Sequence, residues 1–547
     1  MKSFLNRISI LFLVPLLVIG LSGCTKKKLT NETFVINVGT EPPTLDWSKA
    51  TDTTSSLCLQ NLMEGLVQYD WNAPGIGVKP ALAESFTISP DAKIYTYKLR
   101  SDVKWTDGKP LIAQHFVDSW RRLVDPKTAS EYAYFIFDVK NAHAINLGEK
   151  PTTELGAVAL DDHTLQVTLE QPASYFKFVP THPPTFPIRL DVIEKYGDKW
   201  TEPGNIVTIG PFKLKEWVHD KKIVFERNDQ YYGEKPKVQT IVGQMIVESP
   251  TALALFENGQ LDYTQEVPPL DLVRYQKNQD LSTSLQTGPL FSNYYYGFNT
   301  KKAPFDNPNV RKAFAAAVDR NELLKVIRRD HYPLLSWIPV GMLGYNANIG
   351  IPFSPQKAKE YMIAAGYVQK DGKWVKASDG TPFPKVNMTF NANTMHQIVA
   401  ENLQTQWRKS LGVEPEIEFQ EWKVYLRNLH TDPPQIWRLG WVADYPDPDN
   451  FMALFYSYSS QNNTRWGNPE YDNLVKRAAG ELDPEIRKAL YEKAQRILTE
   501  EDVPIIPLFT TKNYFLLKPY VKGFEYNPME VRRFSGVWLE RNPSKKN

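Results

Sequence analysis

Two cysteines in 547 residues can build neither a disulfide framework nor a thiolate metal site. Cys24 closes the N-terminal leader described below, so Cys58 has no partner within the chain, and stability must come from the size of the core. Cys58 sits with Leu57, Leu59, Leu62 and Met63 in a predicted helix over 55–64, with Thr54 as its N-cap, and reads as a small buried hydrophobe. An excess of charge of one sign is also missing: 64 Lys and Arg stand against 62 Asp and Glu. Lys2 and Arg7 are the only charges before Cys24, so the rest of the chain is formally neutral. A neutral chain has no global field to hold nucleic acid or an anionic membrane surface. After the leader, no apolar run approaches the roughly 20 residues that span a bilayer.

The eight histidines form no H-E-x-x-H or Cys/His zinc pattern, and neither a G-x-S-x-G elbow nor a G-x-x-x-x-G-K-[ST] loop occurs. Gly75-Ile-Gly77 lacks a third glycine and reads as a turn. Asp444, Asp447 and Asp449 crowd together, but Pro446, Pro448 and the missing glycine break the spacing of a calcium loop. No metal and no cofactor is expected. Paired carboxylates far apart in the chain are the one catalytic arrangement the sequence leaves open; nothing positive speaks for an enzyme.

What the chain does have is length for about three domains, 12% aromatic residues, and an address. Lys2 and Arg7 precede an apolar run over 8–19, and then come Leu21, Ser22, Gly23 and Cys24. That is a charged segment, an apolar segment and a small-residue cleavage site, too short and too broken for a comfortable span. The final four residues resemble a bacterial lipobox, in which the cysteine carries the lipid. Residues 1–23 are then the lipoprotein signal peptide, 24–30 a lipidated tether, and the protein is exported and anchored at the outer face of the cytoplasmic membrane or in the cell envelope.

Short strands alternate with helices. Residues 34–38 open as a strand, and 94–99 and 164–169 alternate at period two. Phe116, Trp120, Leu123 and Val124 mark one face of a helix that stops before Pro126. Helices are predicted over 309–318, 357–365 and 484–499, the last with Ile486, Leu490, Ala494 and Ile497 facing inward, and a buried strand over 505–508. The class is α/β, without repeats or long Gly/Ser linkers.

Several strings, in one order over residues 38–522, resemble the peptide-binding branch of the bacterial extracellular solute-binding proteins of ABC importers. They are Leu99-Arg-Ser-Asp-Val-Lys-Trp-Thr-Asp-Gly108, Asp118-Ser-Trp-Arg-Arg-Leu-Val-Asp-Pro126, Asp161-Asp-His-Thr-Leu165 and Lys199-Trp-Thr-Glu-Pro-Gly-Asn-Ile-Val207. Tyr294-Tyr-Tyr, Gln420-Glu-Trp-Lys423 and Gly440-Trp-Val-Ala-Asp-Tyr-Pro-Asp-Pro448 complete the set. The resemblance implies a two-lobed periplasmic-binding-protein fold with an extra domain on the N-terminal lobe and a ligand cleft between the lobes. Carried across, domain I is 31–63, 190–290 and 512–547, domain II is 64–189, and domain III is 291–511.

The same resemblance implies the site. Asp444 pairs with a peptide's α-ammonium group, flanked by Trp441 and Tyr445. Trp441 and Trp422 wall side-chain pockets, with core packing as the alternative for either. Arg438 and His396 lie near the ligand's C-terminal part, although His396 reads equally as a solvated loop histidine. Tyr132 faces the cleft from the extra domain or packs in its core. Residues 50–54, with Thr51 and Thr53, fall where one lobe presents an edge strand to the peptide. Thr51 replaces an acidic residue there, so a charge is lost unless Asp52 restores it, and Thr264-Gln265 replaces a Tyr-Asn pair.

The implied function is a lipid-anchored, monomeric receptor that captures short peptides and delivers them to ABC permease subunits. Its rivals are a receptor for murein peptides or for another ligand such as nickel or haem, a peptide-pheromone receptor, and an extracellular hydrolase. No nucleic-acid partner is expected.

Overall fold

The computed structural model of the chain describes residues 30–73 and 76–541, so the leader and Cys24 lie outside the described residues. The fold is α/β and carries an eleven-stranded mixed sheet. In chain order, β1 is Thr33–Asn37, and α1, Thr53–Leu62, follows it. A separate four-stranded antiparallel sheet comes next: β2 Ala83–Ile88, β3 Ile94–Leu99, β4 Ala157–Asp161 and β5 Thr164–Thr168, in the order β2-β3-β5-β4. Helix α2, Gln114–Val124, belongs to this part and buries Phe116, Trp120, Leu123 and Val124 completely. Its Trp120 indole donates to the Thr185 carbonyl at 2.9 Å, which ties the helix to the loop that leads into the cavity described below.

The chain then returns to the large sheet through β6 Phe212–Val218, β7 Lys222–Arg227, β8 Thr240–Gln244 and β9 Tyr263–Thr264. Two long strands follow at a distance in sequence, β10 Leu285–Phe298 and β14 Ile505–Leu517. Between them lie β11 Asn387–Asn391, β12 Glu416–Gln420 and β13 Ile436–Val442, with α3 Thr394–Leu411 after β11, α4 Trp422–Thr431 after β12 and α5 Pro484–Arg496 before β14. The main path of the sheet runs β12-β11-β13-β10-β14-β9-β1-β8-β7-β6.

Strands β10 and β14 therefore join its two halves. They pair from Leu285 with Leu516 to Pro289 with Lys512, and again from Asn293 with Thr510 to Gly297 with Ile505. The ladder shifts register between these stretches. Proline has no N–H to give at Pro289, and a ladder that is interrupted at one level on both strands is a place where the sheet can bend. Burial does not follow the same division: one apolar core runs from β1, α1 and the four-stranded sheet across to β13 and α5, and a second lies on β11, α3 and residues 308–327.

Local differences from the sequence-based expectation have clear causes. The N-cap of α1 is Asp52 and not Thr54, because its carboxylate reaches two backbone donors, Thr54 N at 2.9 Å and Ser55 N at 3.0 Å. That capped helix begins at Thr53, so residues 50–54 form no edge strand. Ile486 on α5 is 51% exposed, whereas the next residue, Arg487, is 6% exposed. Arg487 pays for its burial by a two-pronged bond to the Asp447 carboxylate, at 2.7 and 2.8 Å. Helix α5 ends at Arg496 and continues as a wider turn over Ile497–Glu501, and the strand expected over 505–508 extends to Leu517.

Candidate functional site

A cavity of about 690 Å³ lies between the two parts of the molecule, within the size range of small-ligand sites. Thr51, Thr53, Tyr132 and Gln265 reach its wall from one side. His396, Trp422, Arg438, Trp441 and Asp444 reach it from the β11–β13 side. The nine residues suggested by the sequence thus meet at one cavity although they span 51–444.

Asp444 lies just beyond the C-terminal end of β13, and its place is set by Asn450, which the sequence did not single out. The Asn450 side-chain oxygen accepts from the Asp444 N–H at 2.9 Å and from the Trp441 indole at 2.9 Å, and its amide donates to Asp444 Oδ2 at 3.1 Å. The Tyr132 hydroxyl stands 3.2 Å from the same oxygen, and His182 Nε2 is 3.1 Å from Oδ1. The Tyr69 hydroxyl donates to the Asp444 carbonyl at 2.5 Å. Burial pushes the Asp444 carboxyl up from its ordinary value, while His182, Asn450 and Tyr132 oppose that push. The Tyr132 ring stacks between Trp441, at 6.2 Å and 17°, and His182, at 5.8 Å and 23°. The carboxylate is thereby held at an aromatic wall that excludes water, a setting suited to a desolvated cation.

The other two aspartates do different work. Asp447 holds Arg487, and Asp449 accepts from the Tyr445 hydroxyl at 2.9 Å. Tyr445 itself stacks flat on Tyr175. Among the described residues no group of three or more His, Cys, Asp or Glu side chains is placed to hold a metal ion.

Farther along β13, the Arg438 guanidinium lies 4.1 Å above the Tyr294 ring and donates to Asn391 Oδ1 at 3.2 Å. Its Nε and the Nη1 of Arg329, another cavity residue, are buried without a hydrogen-bond partner. His396 is no solvated loop residue. It occupies the first turn of α3, 9% exposed, with Nδ1 3.2 Å from the Tyr294 hydroxyl. Burial first, and Arg438 second, push its imidazole well below its ordinary value, so it is neutral. Glu266 faces the same region and accepts from the amide of Asn393, the N-cap of α3, at 2.9 and 3.0 Å.

Trp422 opens α4 and lines the cavity. Asp52 is committed to capping α1 through the Thr54 and Ser55 N–H groups. His182, Glu266 and Arg329 escaped the sequence because their partners lie far off in the chain and no local spacing marks them. Only Asn450 had a signal, its position in the segment that contains the three aspartates.

One end of the cavity thus offers a shielded carboxylate and the other offers guanidinium donors, between lobes joined by two bendable strands. These features define a two-lobed binding protein with a ligand cleft between the lobes. The profile of the bacterial extracellular solute-binding proteins, family 5 (middle region), matches residues 77–463, and the chain belongs to this family. It is 35% identical over 505 residues to the periplasmic oligopeptide-binding protein OppA of Salmonella typhimurium, with 90% of each chain covered. Among solved structures it is similar to Haemophilus influenzae OppA in complex with RPPGFSPFR, with a TM-score of 0.86 and 33% identity over 93% of this chain and 99% of that one. The murein tripeptide-binding protein MppA of Escherichia coli, 31% identical over 93% and 99% of the two chains, also gives 0.86, whereas MppA in its unliganded open form gives 0.62 at 32% identity over 93% and 97%. The lobes of this chain are therefore arranged unlike those of the open form.

Proposed function

We propose that this chain is the substrate-binding lipoprotein of an ABC peptide importer: it captures short peptides between its lobes and presents them to the permease subunits. The observation that carries this reading is the buried Asp444 carboxylate at the Trp441–Tyr132 wall, facing the same cavity as the unpartnered donors of Arg438 and Arg329. A zwitterionic peptide satisfies both ends. Main-chain hydrogen bonds supply the rest of the affinity and leave side chains in roomy pockets, so that peptides of varied sequence are accepted. Thr51, Thr53, Gln265, Trp422 and His396 line these pockets and tune length and side-chain preference. The chain captures its ligand without turning it over.

Capture is by hinge bending at the break between Pro289/Lys512 and Asn293/Thr510. In this reading domain I comprises 31–63, 190–290 and 512–547, domain II 64–189 and domain III 291–511, and the receptor acts as a monomer tethered through lipid on Cys24. Native mass spectrometry of the protein from its own host tests the ligand class. Peptides with free amino termini are expected in the complex; a metal chelate, haem or no peptide at all sinks the reading. Cys24→Ser is expected to leave the membrane fraction, since two or three acyl chains anchor stably and none does not.

A further inference from the structure

The imidazole of His182 is held as firmly as the carboxylate it faces. Short helical turns at Phe176–Thr181 and Pro183–Thr185 flank it. The His182 backbone N–H donates to the Val179 carbonyl at 3.2 Å, and the His182 carbonyl accepts from the Thr185 N–H at 3.0 Å and the Thr185 hydroxyl at 2.7 Å. Two prolines follow it, and Tyr132 and Phe135, themselves in contact, pack against the ring at 5.8 and 5.0 Å. The side chain is 14% exposed and lines the cavity. The backbone that carries the ring is therefore fixed beside Asp444, with Tyr132 and Phe135 packed against the imidazole.

That placement sets two cations against each other. A carboxylate accepts about four hydrogen bonds, and Tyr132, Asn450 and His182 already supply three partners. An α-ammonium that joins them comes within a few ångströms of Nε2. A neutral imidazole with its proton on Nε2 tolerates this arrangement, because it still donates to Oδ1. An imidazolium does not, because two like charges then share one counter-ion in a dry pocket.

We infer that His182 and the ligand's α-ammonium are alternative counter-ions of Asp444, so that capture of a peptide expels the imidazole's proton and acid loosens the complex. This rests on the reading of Asp444 as the ammonium anchor. The other titratable groups around the ring do not supply the same effect. Tyr132, Tyr134 and Tyr69 are pushed upward by burial and stay neutral phenols. Glu131 and His430, on the same rim, are paired with each other at 2.6 Å. Asp52 is engaged at the cap of α1. Burial pulls the His182 imidazole down and Asp444 pulls it up, and a second cation removes the latter support. The sign follows from linkage: the bound form has the lower proton affinity, so affinity for peptide is highest above the free-state pKa and falls as pH falls through it.

Calorimetry with trialanine tests the inference, because at pH 6 its amino group is fully charged and its carboxyl titrates well below. Burial outweighs Asp444 and holds the free-state imidazole below its ordinary value, so capture by the wild type should release more protons than capture by His182→Gln, and the excess should grow as pH is lowered from 7 to 5. Relative to that variant, wild-type affinity should weaken progressively as pH is lowered through the free-state value of the imidazole. His430→Gln should keep the wild-type proton count. Equal proton release by wild type and His182→Gln overturns the inference while leaving the anchor intact. N-acetyl-trialanine separates the two readings: if it binds the wild type as well as trialanine does, Asp444 is not the anchor and the inference falls with it. Should His182→Gln not fold, the imidazole titration followed by NMR in the wild type decides. A pKa that drops on adding trialanine supports the inference, and an unchanged one overturns it.

Discussion

The rings of Tyr175 and Tyr445 lie parallel, 5.2 Å apart between centroids and inclined by 5°, and their hydroxyls donate to two different carboxylates, half-buried Asp138 and buried Asp449, each at 2.9 Å. Tyr175 follows β5 of the four-stranded sheet, whereas Tyr445 follows β13 of the large one and is the neighbour of Asp444. One stack thus spans the two parts of the molecule beside the proposed ligand anchor. It can exist only when the lobes are together.

Removing that stack should speed the loss of ligand. An aromatic pair contributes about 0.5–1.5 kcal/mol beyond its buried area, so Tyr175→Leu should raise the dissociation rate of a bound peptide roughly 2- to 12-fold. Association should change far less, because it precedes closure of the contact. Stopped-flow displacement reads both rates. An unchanged dissociation rate in a variant that still melts cooperatively would show that the stack plays no part in holding the closed form.

The carboxylates under this stack predict a pH dependence of stability. Burial pushes the Asp449 carboxyl up to about 7 and that of Asp138 up to about 6. Both lie above the ordinary carboxylate value, so the fold favours their protonated forms. The stability this provides is fully present below about pH 4 and is lost as pH rises through 6 to 7. Asp449→Asn should abolish part of that loss, with an effect on the order of several kcal/mol at pH 8 and little at pH 4. Thermal melting across this range checks it. A variant that is less stable than the wild type at pH 8 contradicts the assignment. Carboxylates with strong cationic partners, such as Asp191 beside Arg189, shift the other way and lose their contribution only at lower pH, outside this window.

How much of this was legible from the chain depends on whether the signal was local. The α2 face was, because Phe116, Trp120, Leu123 and Val124 recur at helical spacing and all four are buried. The cap of α1 was not, since Asp52 and Thr54 are both capping types and only the geometry shows which one reaches two donors. Ile486 failed for a related reason. An apolar pattern cannot register a buried arginine whose cost is met by Asp447, 40 positions away in the chain. At the cavity, the residues carried over by resemblance to a family line one wall or the other. Of the groups that orient Asp444, Asn450 lies six residues away, whereas His182 and Tyr69 emerge only when distant segments are brought together. The sheet order, with β1 paired to β8 and β9 and two long strands bridging the halves, has no counterpart in local periodicity.

Asp444 offers the most direct test of the proposed function, because it ties one residue to one ligand group. Its side chain is 9% exposed and walled by Trp441 and Tyr132, so a peptide's ammonium group that reaches it gives up its hydration. The ammonium must recover that energy from a fixed anion. Removing the anion leaves a buried charge unpaired, which costs roughly 2–5 kcal/mol, or about 30- to several-thousand-fold in affinity. Asp444→Asn should therefore weaken free peptides strongly. The same peptides blocked by N-acetylation should bind the wild type poorly and lose little more in the variant. Asn at this position keeps an acceptor for Tyr132 and a size that Asn450 tolerates, so the comparison isolates charge. Calorimetry on the four combinations of protein and peptide yields the coupling energy between the carboxylate and the ammonium. A coupling near zero, with free and acetylated peptides lost equally on substitution, would mean that Asp444 shapes the site without pairing with the ligand's charge. The anchor would then have to be sought among the other cavity carboxylates, first of all Glu266.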